Sequence, residues 1–213
     1  MGTAAPDRGP TLATERLILR RWRHSDREPF ARLNADPETM RHFVRPLTRE
    51  ESDALVDRIE RRFDERGYGL WAVERREDSA FLGFVGLAYQ TFEAAFTPCV
   101  EVGWRLDKFA WGKGYATEAA REALRFGFEE AGLSEIVSFT SAGHGASARV
   151  MEKIGLRRDP SDDFENPSMP IGHPLRRHIL YRLGREEYFS GDFAVRANRD
   201  KARPRPEGDR PGS

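Results

Sequence analysis

The sequence predicts one α+β domain built on a mixed sheet, and three observations carry that prediction. Amphipathic helices and short alternating strands follow in the order β, α, α, β, β, β, α, β, α and a closing β, without the regular alternation of a doubly wound sheet. Hydrophobic residues make up 38% of the 213 residues, with 14 Phe and 4 Trp, enough large apolar side chains to fill a core. Both ends are poor in such residues. Residues 1–13 (MGTAAPDRGPTLA) are small and Pro- and Gly-bearing, and 196–213 lack any open-chain aliphatic or aromatic residue larger than Ala. A single domain over 14–190 is expected, with flexible tails at 1–13 and 191–213.

The elements are justified in order. Leu17 and Leu19 face one way and Ile18 and Arg20 the other, a short strand. Ser25-Asp26 starts a helix, with Pro29 in the first turn if Asp26 is the cap. Thr48 and Glu51 form a capping box. Behind it Leu55, Ile59 and Phe63 recur at i, i+4 and i+8, and Gly67 supplies a stop. Three strand-like runs follow at Leu70–Glu74, Phe81–Ala88 and Cys99–Leu106. In the last, Val100, Val102, Trp104 and Leu106 share one face, and Cys99, Glu101, Gly103 and Arg105 the other. A long helix is expected from Thr117 to Ala131, ended by Gly132. A strand Ile136–Thr140, a helix Ala146–Ile154 closed by Gly155, a polar loop Asp159–Pro174 and a strand His178–Leu183 complete the domain.

Composition narrows the function classes. Lys+Arg and Asp+Glu are both 35, so the total charge gives no sign of a nucleic-acid binder. Cys99 is the only cysteine, which excludes an internal disulfide and a Cys-rich zinc site. Residues 1–16 contain no apolar run, and no stretch approaches the roughly 18 apolar residues of a membrane span. A cytoplasmic protein is expected, and monomer and homodimer both stay open.

The chemistry centres on Trp111-Gly112-Lys113-Gly114-Tyr115-Ala116-Thr117, between a strand and a helix. Glycines there let backbone N–H groups reach an anion at the positive end of a helix dipole, as a pyrophosphate cradle requires. The plainer alternative is a tight connector. Neither a P-loop nor a dinucleotide fingerprint is present, since Gly-Lys-Ser/Thr is absent and Thr117 holds the third glycine position. Gly143-His144-Gly145-Ala146-Ser147-Ala148 matches the dinucleotide pattern but comes too late in the chain for a nucleotide-binding βαβ unit. His173 and His178 lack a third ligand, so no metal is inferred. Cys99 reads as a small strand residue, and Phe81, Phe84 and Phe92 as packing residues.

Together these segments resemble the GNAT family of acetyl-CoA-dependent N-acetyltransferases, in its RimJ/RimL-like branch. The branch's opening Thr-x-Arg-Leu-x-Leu-Arg is echoed by Thr14–Arg20, and its strand Glu-x-Gly-Trp/Tyr-x-Leu by Glu101–Leu106. The phosphate motif appears at Trp111–Ala116, and the late helix at His144 to Gly155 with Ser147, Val150 and Lys153 in place. The resemblance spans about residues 12 to 184. It implies a mostly antiparallel sheet splayed at its fourth strand, about four flanking helices, and acetyl-CoA in the resulting V. Three positions depart from the family: Trp111 stands for Arg or Gln, His144 for Asn, and Met151 for a Tyr that protonates the departing thiolate.

The resemblance implies acetyl transfer to a primary amine on a protein N-terminus or a small molecule. Another acyl-CoA such as succinyl-CoA, or a CoA-binding module without catalysis, are the rival readings. An ammonium must lose a proton before attack, so a carboxylate on the central strand is expected as base, and Glu101 matches. Backbone groups near Val102, Gly103 and Trp104 are expected to hold the pantetheine and the thioester oxygen. Residues 111–117 and His144 complete the expected cofactor contacts, with Lys113 as a substitute phosphate ligand. Ser147 is the candidate to stabilise the thiolate. Asp159, Asp162, Asp163 and Glu165 crowd one loop, so a cationic acceptor steered by that loop is expected. The bland alternative is a loop balanced by Arg157, Arg158, Arg176 and Arg177.

Overall fold

A computed structural model describes residues 9–190. Its strands are Leu12–Ala13 (β1), Leu17–Arg20 (β2), Leu70–Arg75 (β3), Phe81–Gln90 (β4), Cys99–Leu106 (β5), Glu135–Ser141 (β6), Arg157–Arg158 (β7), Phe164–Glu165 (β8) and Arg177–Gly184 (β9). Its helices are Arg27–Ala35 (α1), Arg49–Arg66 (α2), Tyr115–Arg125 (α3), Gly145–Lys153 (α4) and Arg185–Phe189 (α5). The sheet order is β1-β2-β3-β4-β5-β6-β9-β7, with β8 against β9. Every pairing is antiparallel except β5 with β6.

That parallel junction decides the function of the fold. β4 and β5 pair along their whole length, and so do β6 and β9, yet β5 meets β6 only at Glu101 opposite Val137. The sheet opens beyond that point into a V. The splay lies at the strand expected from the sequence, counted fifth because Leu12–Ala13 is a strand as well.

The N-terminal boundary is corrected by the same observation. Leu12 and Ala13 pair with Leu19 and Ile18, Leu12 is buried, and the Trp71 indole donates to Pro10 O at 2.8 Å. An apolar Leu and a satisfied indole hold residues 9–13 to the domain, so they are no tail. Residues 1–8 and 191–213 lie outside the described residues.

The local signals mostly act as expected. Thr48 accepts from Glu51 N while Glu51 accepts from Thr48 N, and Gly67 ends α2 in the left-handed region at φ 74°. Val56, Ile59 and Phe63 are the buried stripe of α2, with Leu55 at its edge. Asp26 caps α1 in position but not by its side chain. It instead receives both terminal nitrogens of the buried Arg20, at 2.7 and 2.9 Å, and Glu74 takes Arg20 Nε at 2.7 Å. Both carboxylates are buried too, and Arg23 adds a second cation on Glu74 at 2.9 Å, so two positive charges balance the two negative ones.

The long third helix differs from expectation at both ends. It starts at Tyr115, with Gly114 before it, and turns into a π-helical turn at Phe126–Glu130. A Cβ on Gly127 would stand 2.6 Å from Ile136 Cδ1, so the wide turn and the missing side chain let the helix end press on β6. Ala119, Ala120 and Ala123 are fully buried, which brings α3 close onto the sheet. Among the described residues no helix is long and apolar enough to cross a membrane.

Candidate active site

The V leads into a cavity of about 630 Å³, lined by β4, β5, β6, the loop 36–48 between α1 and α2, and the N-terminal turns of α3 and α4. Strand register fixes which backbone groups face it. Asp107 N donates to Leu82 O, which makes 84/105, 86/103 and 88/101 the hydrogen-bonded pairs of β4 and β5. Val100, Val102 and Trp104 therefore turn their backbone groups away from β4. The bridge at Glu101 and Val137 occupies the Val102 N–H, leaving the Val102 carbonyl and both Trp104 groups in the opening. Gly103 lines the cavity, but its amide belongs to the Gly86 pair, and the Val102 side chain is fully buried in the core, so Val102 and Trp104 offer the free backbone groups of the expected set.

At the wide end stands the glycine loop. Gly112 and Gly114 adopt φ 72° and 81°, conformations that side chains disfavour. A Cβ at Gly112 would meet nothing within 4 Å, and at Gly114 only Arg16 Nη2 at 3.5 Å. The first-turn amides of α3 thus face open space, the condition for an anion cradle. Gly112, Gly114, Tyr115, Ala116 and Thr117 line the cavity. Lys113 does not, so its expected phosphate contact is not supported; its carbonyl accepts from Arg16 at 3.0 Å. Arg16 also grips Glu118 at 2.7 Å, and Thr14 donates to Glu118 at 2.5 Å. The opening motif of the domain is therefore a clamp on the glycine loop, 100 residues away in sequence. Trp111 lines the cavity too, with its indole donating to Leu106 O at 2.7 Å.

Near the point of splay lies Glu101, which accepts from Gln90 Nε2 at 2.5 Å. Burial pushes its carboxyl up to about 7, and the Gln90 hydrogen bond offsets only part of that rise. A carboxylate with this value changes charge near neutral pH, as a general base for an amine requires. Its expected alternative partner, Arg105, bonds elsewhere: Nη1 donates to Asn34 Oδ1 at 2.6 Å.

His144 lines the opposite wall. It accepts or donates at Thr140 Oγ1 (3.0 Å) and stacks on His42, ring centres 3.7 Å apart and 17° from parallel. Burial, then repulsion from His42 and Arg41, holds the His144 imidazole down at about 4; burial and Arg41 also lower His42. Both rings are neutral at pH 7, which two facing imidazoles need. Ser147 is buried on the same wall. Met151, which cannot protonate a thiolate, is buried among core residues and is not part of the cavity.

Sequence reasoning missed His42, Gln90 and Asn166 and weighed His178 only as a metal ligand; all four line the cavity. His178 Nδ1 lies 3.1 Å from Arg176 O and its Nε2 3.3 Å from Asn166 Nδ2, so two neighbours fix its ring. The acidic loop is a correction. Asp162 pairs with Arg182 at 2.7 Å, Asp163 with Arg158 at 2.5 Å, and Glu165 with Arg176 at 3.2 Å. Asp159 caps Ser161, and none of the four lines the cavity. Neutralised acids turned from the site cannot steer a cation into it. Cys99 is buried and its thiol is pushed up to about 11, chiefly by burial, so it is inert near neutral pH.

A family model described as an acetyltransferase (GNAT) domain matches residues 16–157. The chain belongs to the GNAT acetyltransferases. It is 35% identical over 188 residues to the FsC-acetyl coenzyme A-N(2)-transacetylase of Aspergillus fumigatus, covering 84% of this chain and 78% of that protein. It is 34% identical over 148 residues to the uncharacterized protein YkkB of Bacillus subtilis, covering 68% and 84% respectively. A GNAT acetyltransferase structure from Bacillus anthracis superposes with a TM-score of 0.69 at 25% identity, over 84% of this chain and 100% of that one. Mycobacterium smegmatis RimJ, solved with CoA-disulfide, shares the fold at a TM-score of 0.68 and 16% identity, over 87% and 89%.

GNAT enzymes use acetyl-CoA as co-substrate, and the residues present here fit that molecule. The side-chain-free cradle at Gly112–Gly114 suits a pyrophosphate, and the unpaired groups of Val102 and Trp104 suit an amide-bearing arm laid along β5. Acetyl-CoA supplies an activated acyl group as its thioester.

Proposed function

We propose that this GNAT enzyme acetylates a primary amine by direct attack within a ternary complex, with Glu101 as general base. The observation that carries the reading is Glu101 itself, a half-buried, cavity-lining residue whose carboxyl is raised to about 7 at the point where the sheet opens. Protonated amine loses its proton to Glu101, directly or through a water, and the neutral amine attacks the thioester carbonyl. Gln90 holds the carboxylate in place. Amides of residues 112–117 and the Trp104 backbone bind the co-substrate, with His144 on the facing wall, and Ser147 stabilises the thiolate. The RimJ/RimL-like motifs at Thr14–Arg20 and Glu101–Leu106 favour that branch of the family. The name of the Aspergillus relative, a transacetylase acting at N(2), supports a nitrogen acceptor.

Titration calorimetry with CoA, then a thiol-release assay with an amine panel and mass spectrometry of the products, tests the reading. CoA binding with amine-dependent thiol release and a mass gain of one acetyl group is expected. Binding of CoA without transfer to any amine would leave a CoA-binding module. Faster thiol release from succinyl-CoA than from acetyl-CoA would replace the acyl group in the proposal.

A further inference from the structure

Arg105 is a half-buried cation without an anion. Its Nη1 reaches Asn34 Oδ1, while Nε is shut off from solvent and has no hydrogen-bond partner. Asn34 and Ser52 are fully buried, and Asn34 Nδ2 donates to Ser52 Oγ at 2.9 Å, which turns the amide oxygen toward Arg105. The rings of Phe43 and Phe84 lie 4.1 and 5.5 Å from the guanidinium. Among the described residues no carboxylate forms an ion pair with it. The contrast with Arg20 is direct, because that buried arginine holds two carboxylates. Burial alone lowers Arg105, to about 10, so it stays charged at neutral pH and its desolvation is uncompensated.

The position explains what the charge is for. Glu101 and Arg105 project from the same face of β5 and both line the cavity. Their Cα atoms are four residues apart, on the order of 13 Å along a strand. A short molecule lying between them would meet a base at one end and a planar fork of N–H donors at the other.

The geometry points to an acceptor that carries a carboxylate as well as its amine, with Arg105 binding the carboxylate. This rests on the acetyl-transfer reading above and names its substrate class. Guanidinium and carboxylate match in shape as well as charge, and the flanking rings exclude the water that would weaken the pair. The acceptor is then a small amino acid in the broad sense, not the cation expected from the acidic loop.

The test compares glycine, L-alanine, β-alanine, γ-aminobutyrate and ε-aminocaproate with their carboxamides, by binding and by turnover. For at least one pair, calorimetry should show the amino acid bound on the order of 10- to 100-fold more tightly than its amide, the worth of a charged hydrogen-bonded contact. Thiol release with acetyl-CoA should show the same preference in KM more than in kcat. In Arg105→Gln the ratio should fall to within a few-fold of one, and in Arg105→Lys, which keeps the charge but not the fork, it should fall between that and the parent's, with folding checked by circular dichroism. Should neither variant fold, the parent's binding ratios decide alone. Equal binding of every amino acid and its amide by the parent would overturn the inference while leaving acetyl transfer to amines intact. A parent that uses succinyl-CoA in preference to acetyl-CoA, and loses that preference in Arg105→Gln, would assign Arg105 to the acyl group and overturn it too. Absence of transfer to any amine would sink the acetyl-transfer reading alone, because the binding ratios are measured without turnover.

Discussion

Glu101 shows what a single residue contributes and what it needs from others. A solvated glutamate would be ionised at neutral pH but too weak a base to take a proton from an ammonium efficiently. Burial raises it to about 7, so its basic form appears as pH rises through that value. The kcat/KM of the parent should therefore climb from pH 6 to 8 with an inflection near 7. Glu101→Gln should lower kcat by about 10²–10⁴-fold, remove that limb, and leave CoA affinity within a few-fold. Thiol-release profiles and calorimetry check both parts, and parental turnover in the variant would make Glu101 structural. The residue was legible because its strand motif is local. Gln90 was not, since it sits on another strand and only the β4–β5 register brings it alongside. Arg105 was legible as a strand residue, but its burial depends on Asn34 in α1 and Phe43 in the following loop.

At the scale of elements, local signals decide ends better than interiors. The Thr48–Glu51 box and Gly67 bound α2 where the sequence places them, because a cap acts on its own turn. Thr48→Ala should cost about 1 kcal/mol by chemical denaturation, because it removes the cap of α2. The π turn of the third helix was hidden, because the contact it serves, Gly127 against Ile136, joins that helix to another element. The start of that helix carries function. Gly114→Val places a branched side chain at φ 81°, in front of the amides that face the cavity. CoA affinity should fall at least about tenfold by calorimetry, as the cradle amides lose their approach. Lys113→Ala should change it little, because Lys113 does not line the cavity. Unchanged binding by Gly114→Val would move the co-substrate elsewhere.

For the whole molecule, the decisive feature is a sheet joined across its middle by one bridge, Glu101 to Val137. A ligand bound in the V ties the two halves together and stabilises only the folded state. CoA at 100 times its dissociation constant should add about 2.7 kcal/mol, which for a chain of this size raises Tm by roughly 5–10 °C. Thermal melts of the parent should show that rise, and Gly114→Val at the same CoA concentration should show much less of it. The sequence by itself determined the fold class, the element order, the glycine loop and the strand carboxylate. These rest on periodicity, capping and short motifs, whose causes lie within a few turns or one strand. Only the tertiary structure decided which strand groups stay unpaired, that Arg16 and not Lys113 braces the loop, and that the acidic loop is neutralised. It alone set the stack of His42 on His144 and left Arg105 without a counter-ion. Those properties depend on burial and on contacts between residues far apart in the chain, and neither is written in local pattern.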